Sequence, residues 1–165
     1  MLVPYFCNPD NWKKFKEELL SWEGTPYAHY QRAKGYGADC TMFIGQAYVN
    51  IGILSTLTYD YYSRDWHEHT DNPIVEDSIR KNFNENLVNK NLSFKKVLNS
   101  DQDYVRGDFI LIATVKQSLS NHCAILLDGD NKMIHSINHA GVEVTHYVKW
   151  WRRHTRYKIR LFEEK

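Results

Sequence analysis

Cys40 stands directly after Gly-Ala-Asp, where the sequence changes to a helical pattern of apolar residues. A free thiol has a pKa of about 8.5 and is mostly unreactive at neutral pH. A helix N-terminus favours the thiolate through its dipole and its free N–H groups. A nearby histidine can take up the proton and later give it to a leaving amine. A nucleophilic Cys40 therefore predicts a histidine on a facing element, and a third polar group that fixes the histidine ring.

Two histidines lie where such a base would be needed. His122 opens the apolar run "HCAILL" and His135 lies in "KMIHSI", with the turn sequence "DGDNK" between the two runs. Such a turn joins antiparallel strands, so the two imidazoles are expected near one another. Because neighbouring residues of a strand point to opposite faces, Cys123 faces away from the helix if His122 faces it. The sequence thus favours Cys40 over Cys123 as the nucleophile of a Cys–His–His relay.

Each of these residues also has a plainer interpretation. A single cysteine on an apolar stripe is more often a buried core thiol than a nucleophile. Cys40, His122 and His135 can be combined into a zinc site, but a structural zinc site needs a fourth ligand, so we predict no metal. Asn138 and His139 compete with His135 for the orienting role, although both lie in a predicted turn.

Two helices are predicted in the N-terminal third of the chain. The first begins at Asn8, a good N-cap residue followed by proline, and ends before Gly24. A glycine-rich loop follows it. The second helix has Asp39 as its N-cap and Cys40 as its first residue, and its apolar residues recur at helical spacing up to Gly52. Capping alone would account for Asp39, since an N-cap is worth about 1 kcal/mol.

The rest of the chain divides into a polar middle segment and a strand-rich C-terminal part. Residues 55–104 are predicted to be a helical or irregular insertion, with one helix in "DNPIVEDSIRKNFNENL" and a short one in "LSFKKVLNS". Five strands are then predicted in "DFILIAT", "HCAILLD", "KMIHSI", "VEVTHY" and "YKIRLF". The basic stretch "KWWRRHTRYKIR" is interpreted as the final strand with a solvated face. Helices followed by an antiparallel sheet predict an α+β fold in a single domain, residues 1–165.

The composition argues against several classes of protein. The formal net charge is +1, from 21 Lys and Arg against 20 Asp and Glu, so we predict no nucleic acid partner. The odd number of cysteines, three, and their wide spacing argue against a disulfide framework. No signal peptide is visible in "MLVPYFCNPDNW", and no apolar run approaches the roughly 20 residues of a membrane span. We therefore expect synthesis in the cytoplasm and no membrane span.

The motifs, taken in order, resemble those of the NlpC/P60 family of cysteine peptidases, part of the papain-like superfamily. The chain has "GTPY", then "DCTM" at a helix start, then "RGDFILI", then "HCAILLDGDNKMIHS" and "GVEVTHY". The family pattern reads G-T-P-Y, D-C-S-G-[FL], G-D-L, H-V-G-[IV]-Y and M-[IV]-H-A. No single motif is decisive, but the ordered set covers most of the chain at near-usual spacings.

The resemblance implies a papain-like fold, with the nucleophile helix packed on a five- to six-stranded antiparallel sheet. It also implies a role for each residue of the relay. Cys40 is the nucleophile, His122 the general base and acid, and His135 the residue that orients the His122 ring. The backbone N–H of Cys40, which the helix start leaves free, would hold part of the oxyanion.

The same resemblance implies which residues contact substrate. Tyr27 corresponds to the tyrosine of "GTPY" that lines the substrate side of the site. Asp39 matches the acidic residue that helps to receive a free substrate amine, and Thr41 stands where serine is usual. Met42 departs from the pattern, because glycine is common at that position; its side chain either narrows the groove or packs.

The implied reaction is hydrolysis of amide bonds in the peptide stems of peptidoglycan, without a cofactor. The compact form, with "YYSRDW" after the second helix, is similar to phage-associated cell-wall peptidases. That subgroup implies phage tail proteins as partners, and action at the wall through a phage particle or another export route. Two alternatives remain open. One is a tail or assembly component that uses the fold for protein contacts, and the other is a thiol acyl or amide transferase acting on a non-wall substrate.

Overall fold

The computed structural model describes residues 1–97, 103–128 and 131–165. Its α-helices are α1 (Pro9–Leu20), α2 (Cys40–Asn50), α3 (Trp66–His69), α4 (Ile74–Glu85) and α5 (Lys149–His154). Its strands are β1 (Leu2–Pro4), β2 (Arg32–Ala33), β3 (Gly37–Ala38), β4 (Leu92–Val97), β5 (Phe109–Ile112), β6 (His122–Leu126), β7 (Lys132–Ile137), β8 (Gly141–His146) and β9 (Thr155–Glu164). A 3₁₀ turn, Tyr5–Cys7, precedes α1.

The two N-terminal helices begin as their capping residues predict. The Asn8 side chain accepts hydrogen bonds from the Asp10 and Asn11 amides at the start of α1. Asp39 likewise caps α2, so Cys40 is the first helical residue, as predicted. The side-chain oxygens satisfy amides that the helix itself leaves free.

Seven strands form one antiparallel sheet in the order β1-β9-β5-β6-β7-β8, with β4 also paired to β9. The α+β class and the five predicted strands are confirmed. The sheet exceeds the expected five or six strands because β1 and β4 both pair with the ten-residue β9. The expected turn "DGDNK" joins β6 to β7, but Gly129 and Asp130 lie outside the described residues. Strands β2 and β3 form a separate small hairpin in the predicted loop.

Two secondary-structure predictions were wrong. The segment Leu92–Val97, expected to be helical, is strand β4, because six residues pair in register with β9 and Phe94 stacks on Phe83 of α4 at 4.1 Å; Leu98–Ser100 lie outside the described residues. The stretch from Lys149 does not enter the final strand directly. It first forms helix α5, which brings Trp151 against the rings of two histidines of the sheet.

The two faces of the sheet carry separate apolar clusters, and this reverses one expectation about β6. Cys123 and Ile125 pack in the cluster that contains α1 and α2, whereas Ala124 and Leu126 pack on the opposite face. Cys123 therefore faces the helices, and the alternation puts His122 on the other side. His122 is the first residue of β6 and lies at the end of the sheet, where it lines the same cleft as Cys40 and lowers the pKa of that thiol.

Helix α2 is covered on its outer side by part of the middle segment. A side chain at Gly45 would meet the Tyr59 hydroxyl at 2.8 Å and Leu57 at 3.0 Å. The segment is held further by the Asn82 side chain, which accepts a hydrogen bond from the Thr58 amide and donates one to the Thr58 carbonyl. The residues after α2 therefore run close to the N-terminal half of that helix. Among the described helices, none has the length and apolar character needed to cross a bilayer.

Candidate active site

A cleft of about 380 Å³ is lined by Cys40, His122, Tyr27, Asp39 and Thr41. His135 contacts His122 from outside this lining. One side of the cleft is formed by Tyr27, His29 and the start of α2. The opposite parts come from residues 62–67 of the middle segment, the start of β6, the end of β7 and the two tryptophans of α5. The nucleophile candidate Cys40 is thus open to a ligand where six parts of the chain meet.

Cys40 is half-buried and its pKa lies well below the ordinary value of a thiol. The largest cause is a hydrogen bond from Cys123, and a hydrogen bond and positive charge from His122 act in the same direction. Burial opposes these effects by disfavouring the charged thiolate. The neighbours of Cys40 therefore favour the thiolate form of its side chain.

The thiol of Cys123 stabilises the thiolate form of Cys40. Its side chain is fully buried, and burial raises the pKa of its thiol well above the ordinary value, so the thiol keeps its proton and can donate it. The Thr41 hydroxyl lies 3.7 Å from the sulfur of Cys40 and 3.7 Å from the sulfur of Cys123. Cys123 can contact Thr41 because its side chain lies on the face of the sheet that meets the helices. From the sequence, we expected Cys123 on the opposite face.

His122 and His135 are joined by a hydrogen bond whose donor and acceptor can be assigned. The Nε2 atom of His122 lies 2.8 Å from Nδ1 of His135. Burial, followed by the charge of His122, lowers the pKa of His135 to about 3, so this ring is neutral. A neutral His135 that accepts at Nδ1 carries its proton on Nε2, which lies 3.4 Å from a Glu143 carboxylate oxygen. This arrangement leaves Nδ1 of His122 as the ring nitrogen available to Cys40.

Glu143 and Trp151 belong to this site although neither was predicted. Glu143 pairs in register with His135 on the neighbouring strand β8, so the two side chains share a face. Pairing the residues before and after the turn "NHAG" in the sequence would have placed Glu143 opposite His135. The Trp151 ring lies 5.7 Å from the His122 ring and 5.2 Å from the His135 ring, and it covers the pair. No sequence pattern pointed to Trp151, because the stretch was interpreted as a strand.

Asp39 is already saturated by hydrogen bonds from the protein. One oxygen accepts from the Thr41 and Met42 amides, and the other accepts from the Tyr30 amide and from the Tyr62 hydroxyl at 2.6 Å. The residue is 3 % exposed. Burial, followed by the negative charge of Cys40, raises the pKa of Asp39 to about 6 against the effect of these bonds. In this conformation no lone pair of Asp39 is left for a substrate amine.

The other residues near the expected substrate path differ in how much of their side chain is exposed in the cleft. Tyr27 is half-buried and lines the cleft, and burial raises its pKa to about 12. Thr41 also borders the cleft but is 3 % exposed, and its hydroxyl is held between two sulfurs. Met42 is buried and packs away from the cleft, so it does not narrow the groove. Of this set, Tyr27 offers the most surface to a ligand.

The alternatives to His135 do not reach His122. Asn138 and His139 hydrogen-bond to each other at 3.2 Å on the exposed turn after β7. In residues 1–97, 103–128 and 131–165, no group of three or more His, Cys, Asp or Glu side chains is arranged to hold a metal ion. The structure therefore brings together Cys40, His122 and His135, with Glu143 beyond them.

A hydrogen bond from the Ser136 side chain to the backbone holds the segment before α2 against the sheet. Ser136, which follows His135, donates a 2.7 Å hydrogen bond to the carbonyl of Ala38, two residues before Cys40. The Thr41 and Met42 amides are taken by Asp39, whereas the Cys40 amide donates to no group in the described part of the chain. This amide is free to bind an oxyanion next to the sulfur.

A model of the NlpC/P60 family matches residues 24–160. The structure is similar to that of an NLP/P60-family protein of Staphylococcus aureus subsp. aureus Mu50, described as similar to lipoprotein, with a TM-score of 0.56 and 17% identity over 94% of this chain and 43% of that one.

It is also similar to an NlpC/P60 family protein of Bacillus cereus ATCC 10987, with a TM-score of 0.54 and 20% identity over 87% of this chain and 39% of that one. The chain therefore spans about two fifths of the length of both proteins. Neither description mentions a phage. The comparison with curated proteins gave no match.

Proposed function

The chain belongs to the NlpC/P60 family, and from this premise we propose that it is a cysteine peptidase or amidase that hydrolyses amide bonds in the peptide stems of peptidoglycan. The observation that carries the proposal is the 2.8 Å contact between Nε2 of His122 and Nδ1 of His135. This contact fixes the His122 ring so that its second nitrogen is left for the Cys40 thiol, whose pKa is lowered. No cofactor is required by this chemistry.

The first half of the reaction is acylation of Cys40. The thiolate attacks the carbonyl carbon of the scissile amide, and the developing oxyanion is bound by the Cys40 amide. Imidazolium His122 then gives its Nδ1 proton to the leaving amine as the C–N bond breaks. The products of this half are a free amine and a thioester on Cys40.

The second half is hydrolysis of the thioester. His122, now neutral, removes a proton from a water molecule, which attacks the thioester carbonyl and releases a carboxylic acid and the Cys40 thiolate. His135 acts as a positioning residue in both halves, since it holds Nε2–H of His122. Glu143, exposed at its far end, completes the chain of hydrogen bonds.

The substrate class rests on the family and on the shape of the cleft. The cleft is open and has aromatic walls, which suits an extended peptide better than a compact small molecule. We place the action of the protein at the cell wall, with stem peptides as its binding partner. An acyl or amide transferase would use the same residues, but an amine would then replace water in the second half of the reaction.

The test is a digest of defined muropeptides, with the products identified by mass spectrometry. We expect the parent protein to release one new amine and one new carboxylic acid per bond cleaved. Cys40→Ala should abolish cleavage, and His122→Gln should lower the rate by about 10²–10⁴-fold. A joined product in place of the acid would show transfer instead of hydrolysis.

Cys7→Ala is the matched control, because Cys7 is exposed and does not line the cleft. It removes a thiol without touching the site and should cleave at the parental rate. A folded Cys40→Ala protein that digests muropeptides as fast as the Cys7→Ala protein would refute the proposed function.

A further inference from the structure

Two of the three cysteines lie together beside the cleft. The Thr41 hydroxyl is 3.7 Å from the sulfur of Cys40 and 3.7 Å from the sulfur of Cys123. Cys40 packs against the apolar cluster that contains Cys123, because α2 lies on β6. A hydrogen bond from the Cys123 thiol is also the largest cause of the lowered pKa of Cys40. The two sulfurs are therefore neighbours, although they come from a helix and a strand that are far apart in the sequence.

The two thiols differ in access and in charge, as the attacking and resolving cysteines of a redox pair do. Cys40 is half-buried and lines the cleft, so a small oxidant such as hydrogen peroxide can reach its sulfur. Its lowered pKa favours the thiolate, which is the form that peroxide oxidises. Cys123 is fully buried and does not line the cleft, so it is protected from oxidants in solution.

Support of the Cys40 thiolate does not by itself require sulfur at position 123. A serine hydroxyl is a stronger hydrogen-bond donor than a thiol and would serve the same purpose. The NlpC/P60 pattern H-V-G-[IV]-Y has valine where this chain has Cys123 after His122. What a cysteine adds at this buried position is redox chemistry, which the hydrolytic mechanism does not use.

We propose that Cys40 and Cys123 form a reversible disulfide when the protein meets hydrogen peroxide, which switches off the nucleophile and protects it from irreversible oxidation. The loss of cleavage rests on the proposed function, whereas the link between the two sulfurs does not. The site therefore carries its own oxidation switch in addition to the residues of the hydrolytic relay.

The chemistry takes two steps. In the first, the Cys40 thiolate attacks one oxygen of hydrogen peroxide and the O–O bond breaks, which gives a sulfenic acid on Cys40 and a hydroxide that takes up a proton to become water. In the second, the Cys123 sulfur attacks the Cys40 sulfur. The S–S bond forms, the S–O bond breaks, and the thiol proton leaves with the hydroxyl group as a second water. Two thiols thus lose two electrons, and the peroxide gains them.

Oxidation of Cys40 prepares Cys123 for the second step. Burial raises the pKa of the Cys123 thiol, and the hydrogen bond and negative charge of Cys40 raise it further. A sulfenic acid on Cys40 carries no such charge, so the contribution of the thiolate disappears once Cys40 has reacted. The Cys123 thiol then loses its proton more easily, and the two neighbouring sulfurs have to close to the disulfide bond length of about 2.05 Å.

The test treats the protein with hydrogen peroxide, blocks the remaining thiols with iodoacetamide, and identifies the tryptic peptides by mass spectrometry without reduction. We expect peptide 35–64, which contains Cys40, to be joined to peptide 117–132, which contains Cys123, with the mass of two hydrogens lost. The link should disappear after treatment with dithiothreitol. Muropeptide cleavage should fall as the link forms and return to most of the untreated rate after reduction.

Cys123→Ser separates the switch from the support of the thiolate. Serine keeps a buried donor beside Cys40 but cannot form the link. After the same treatment, Cys40 of this variant should proceed to the sulfinic and sulfonic acids, and dithiothreitol should restore less than about a tenth of the variant's own untreated rate. Cys123→Val, with the residue of the family pattern, is a second variant with the same expectation and without a buried hydroxyl.

Cys7→Ala is the matched control, because it removes the third cysteine, which is exposed and lies outside the cleft. It should form the same link and recover its rate like the parent protein. A parent protein that forms no link between peptides 35–64 and 117–132, or that recovers no better than Cys123→Ser, would overturn the switch. A chain that forms the link but cleaves no muropeptide would refute the proposed function and still support the disulfide, so the two failures are distinguishable.

Discussion

At the scale of single residues, the site is defined by which groups are occupied before a substrate arrives. Apart from the contact between Cys40 and His122, the Cys40 amide and the second nitrogen of His122 make no hydrogen bond within the part of the chain that the structure describes. Asp39 is closed, because Tyr62 from the middle segment and the Tyr30 amide use the oxygen that does not cap α2. In this structure, the residue that the resemblance assigned to a substrate amine caps α2 and has both carboxylate oxygens occupied.

Because both carboxylate oxygens of Asp39 are occupied, we expect the cleavage rate not to depend on whether the substrate has a free amino terminus. Stem peptides with a free amine and their N-acetylated forms should be cleaved with kcat/KM values within about threefold of each other, since no ion pair to the amine is made. Tyr62→Ala should open the carboxylate and favour the free amine by roughly tenfold at pH 8, where Asp39 is ionised.

Tyr62→Phe is the control for that measurement. It removes the hydrogen bond to Asp39 but keeps the ring that covers the carboxylate, so it should not gain a preference for the free amine. A parent protein that already cleaves the free-amine peptide tenfold faster than its N-acetylated form would contradict the closed state.

How far single residues could be predicted depends on how local their contacts are. Asp39 as N-cap and Cys40 as first helical residue follow from neighbours in sequence, and both are confirmed. The three members of the relay could be named from ordered motifs. The hydrogen bond that Asp39 accepts from the Tyr62 hydroxyl could not be predicted, because Tyr62 lies 23 residues away in an irregular segment. Nothing in the motif distinguishes an open carboxylate from a covered one.

At the scale of elements, strand β8 and the loop that carries Tyr27 form one unit. The Gly24 amide donates to the Val142 carbonyl and the Val142 amide to the Thr25 carbonyl, each at 2.9 Å. Gly141 makes this approach possible, since a Cβ there would lie 2.3 Å from the Thr25 carbonyl oxygen and its φ is +75°. Through β8, the same unit also holds Glu143.

Gly141→Ala should therefore destabilise the protein and displace Tyr27 from the cleft. The left-handed backbone costs about 1–2 kcal/mol for alanine, and the clash with the carbonyl adds a further 1–3 kcal/mol or so. Urea unfolding measures the loss, and muropeptide cleavage by the residual folded protein should fall as well.

Gly52→Ala separates the two contributions. Gly52 has φ +81° but open space around its Cβ position, so alanine there meets only the backbone cost. If both variants lose the same unfolding free energy and both keep full activity, the close approach at Gly141 is not what positions the loop.

The elements that the sequence failed to predict have a common cause. Strand β4 and helix α5 are short and have weak local patterns. Their form is set by partners far along the chain: β9 for β4, and the histidine pair for Trp151 of α5. Long periodic elements such as α1 and α2 carry their own signal. The reversed faces of β6 have another origin, because alternation gives relative orientation and not which face meets the helices.

At the scale of the whole molecule, the sheet is tied together by a buried ion pair away from the cleft. Asp108, which is fully buried and directly precedes β5, accepts from Nε of Arg160 at 2.6 Å and from Nη2 at 2.8 Å. Arg160 lies on β9, the strand that pairs with β1, β4 and β5. The pair therefore anchors the strand on which much of the sheet depends.

Asp108→Asn should cost about 1.5–3 kcal/mol in unfolding free energy, because it removes the buried carboxylate that accepts two hydrogen bonds from Arg160 and leaves half-exposed Asp103 as the charge partner of that guanidinium. Asp128→Asn is the matched substitution at an exposed pair, where Lys16 lies 3.1 Å away with both side chains in solvent contact. It should change the unfolding free energy by less than about 1 kcal/mol. Equal effects of the two substitutions in urea unfolding would refute the anchoring role.

If neighbouring groups activate Cys40 as a thiolate, the rate of its alkylation as a function of pH should show this. Iodoacetamide reacts with the thiolate, so labelling of Cys40, quantified by peptide mass spectrometry, rises with a midpoint at its pKa. Exposed Cys7 is the internal reference in the same sample, and buried Cys123 should label last.

We expect the Cys40 midpoint well below the range of about 8.5 for a free thiol, and an upward shift in both His122→Gln and Cys123→Ala, since each removes a group that lowers the pKa of Cys40. A Cys40 midpoint that coincides with that of Cys7 and does not move in either variant would contradict the account.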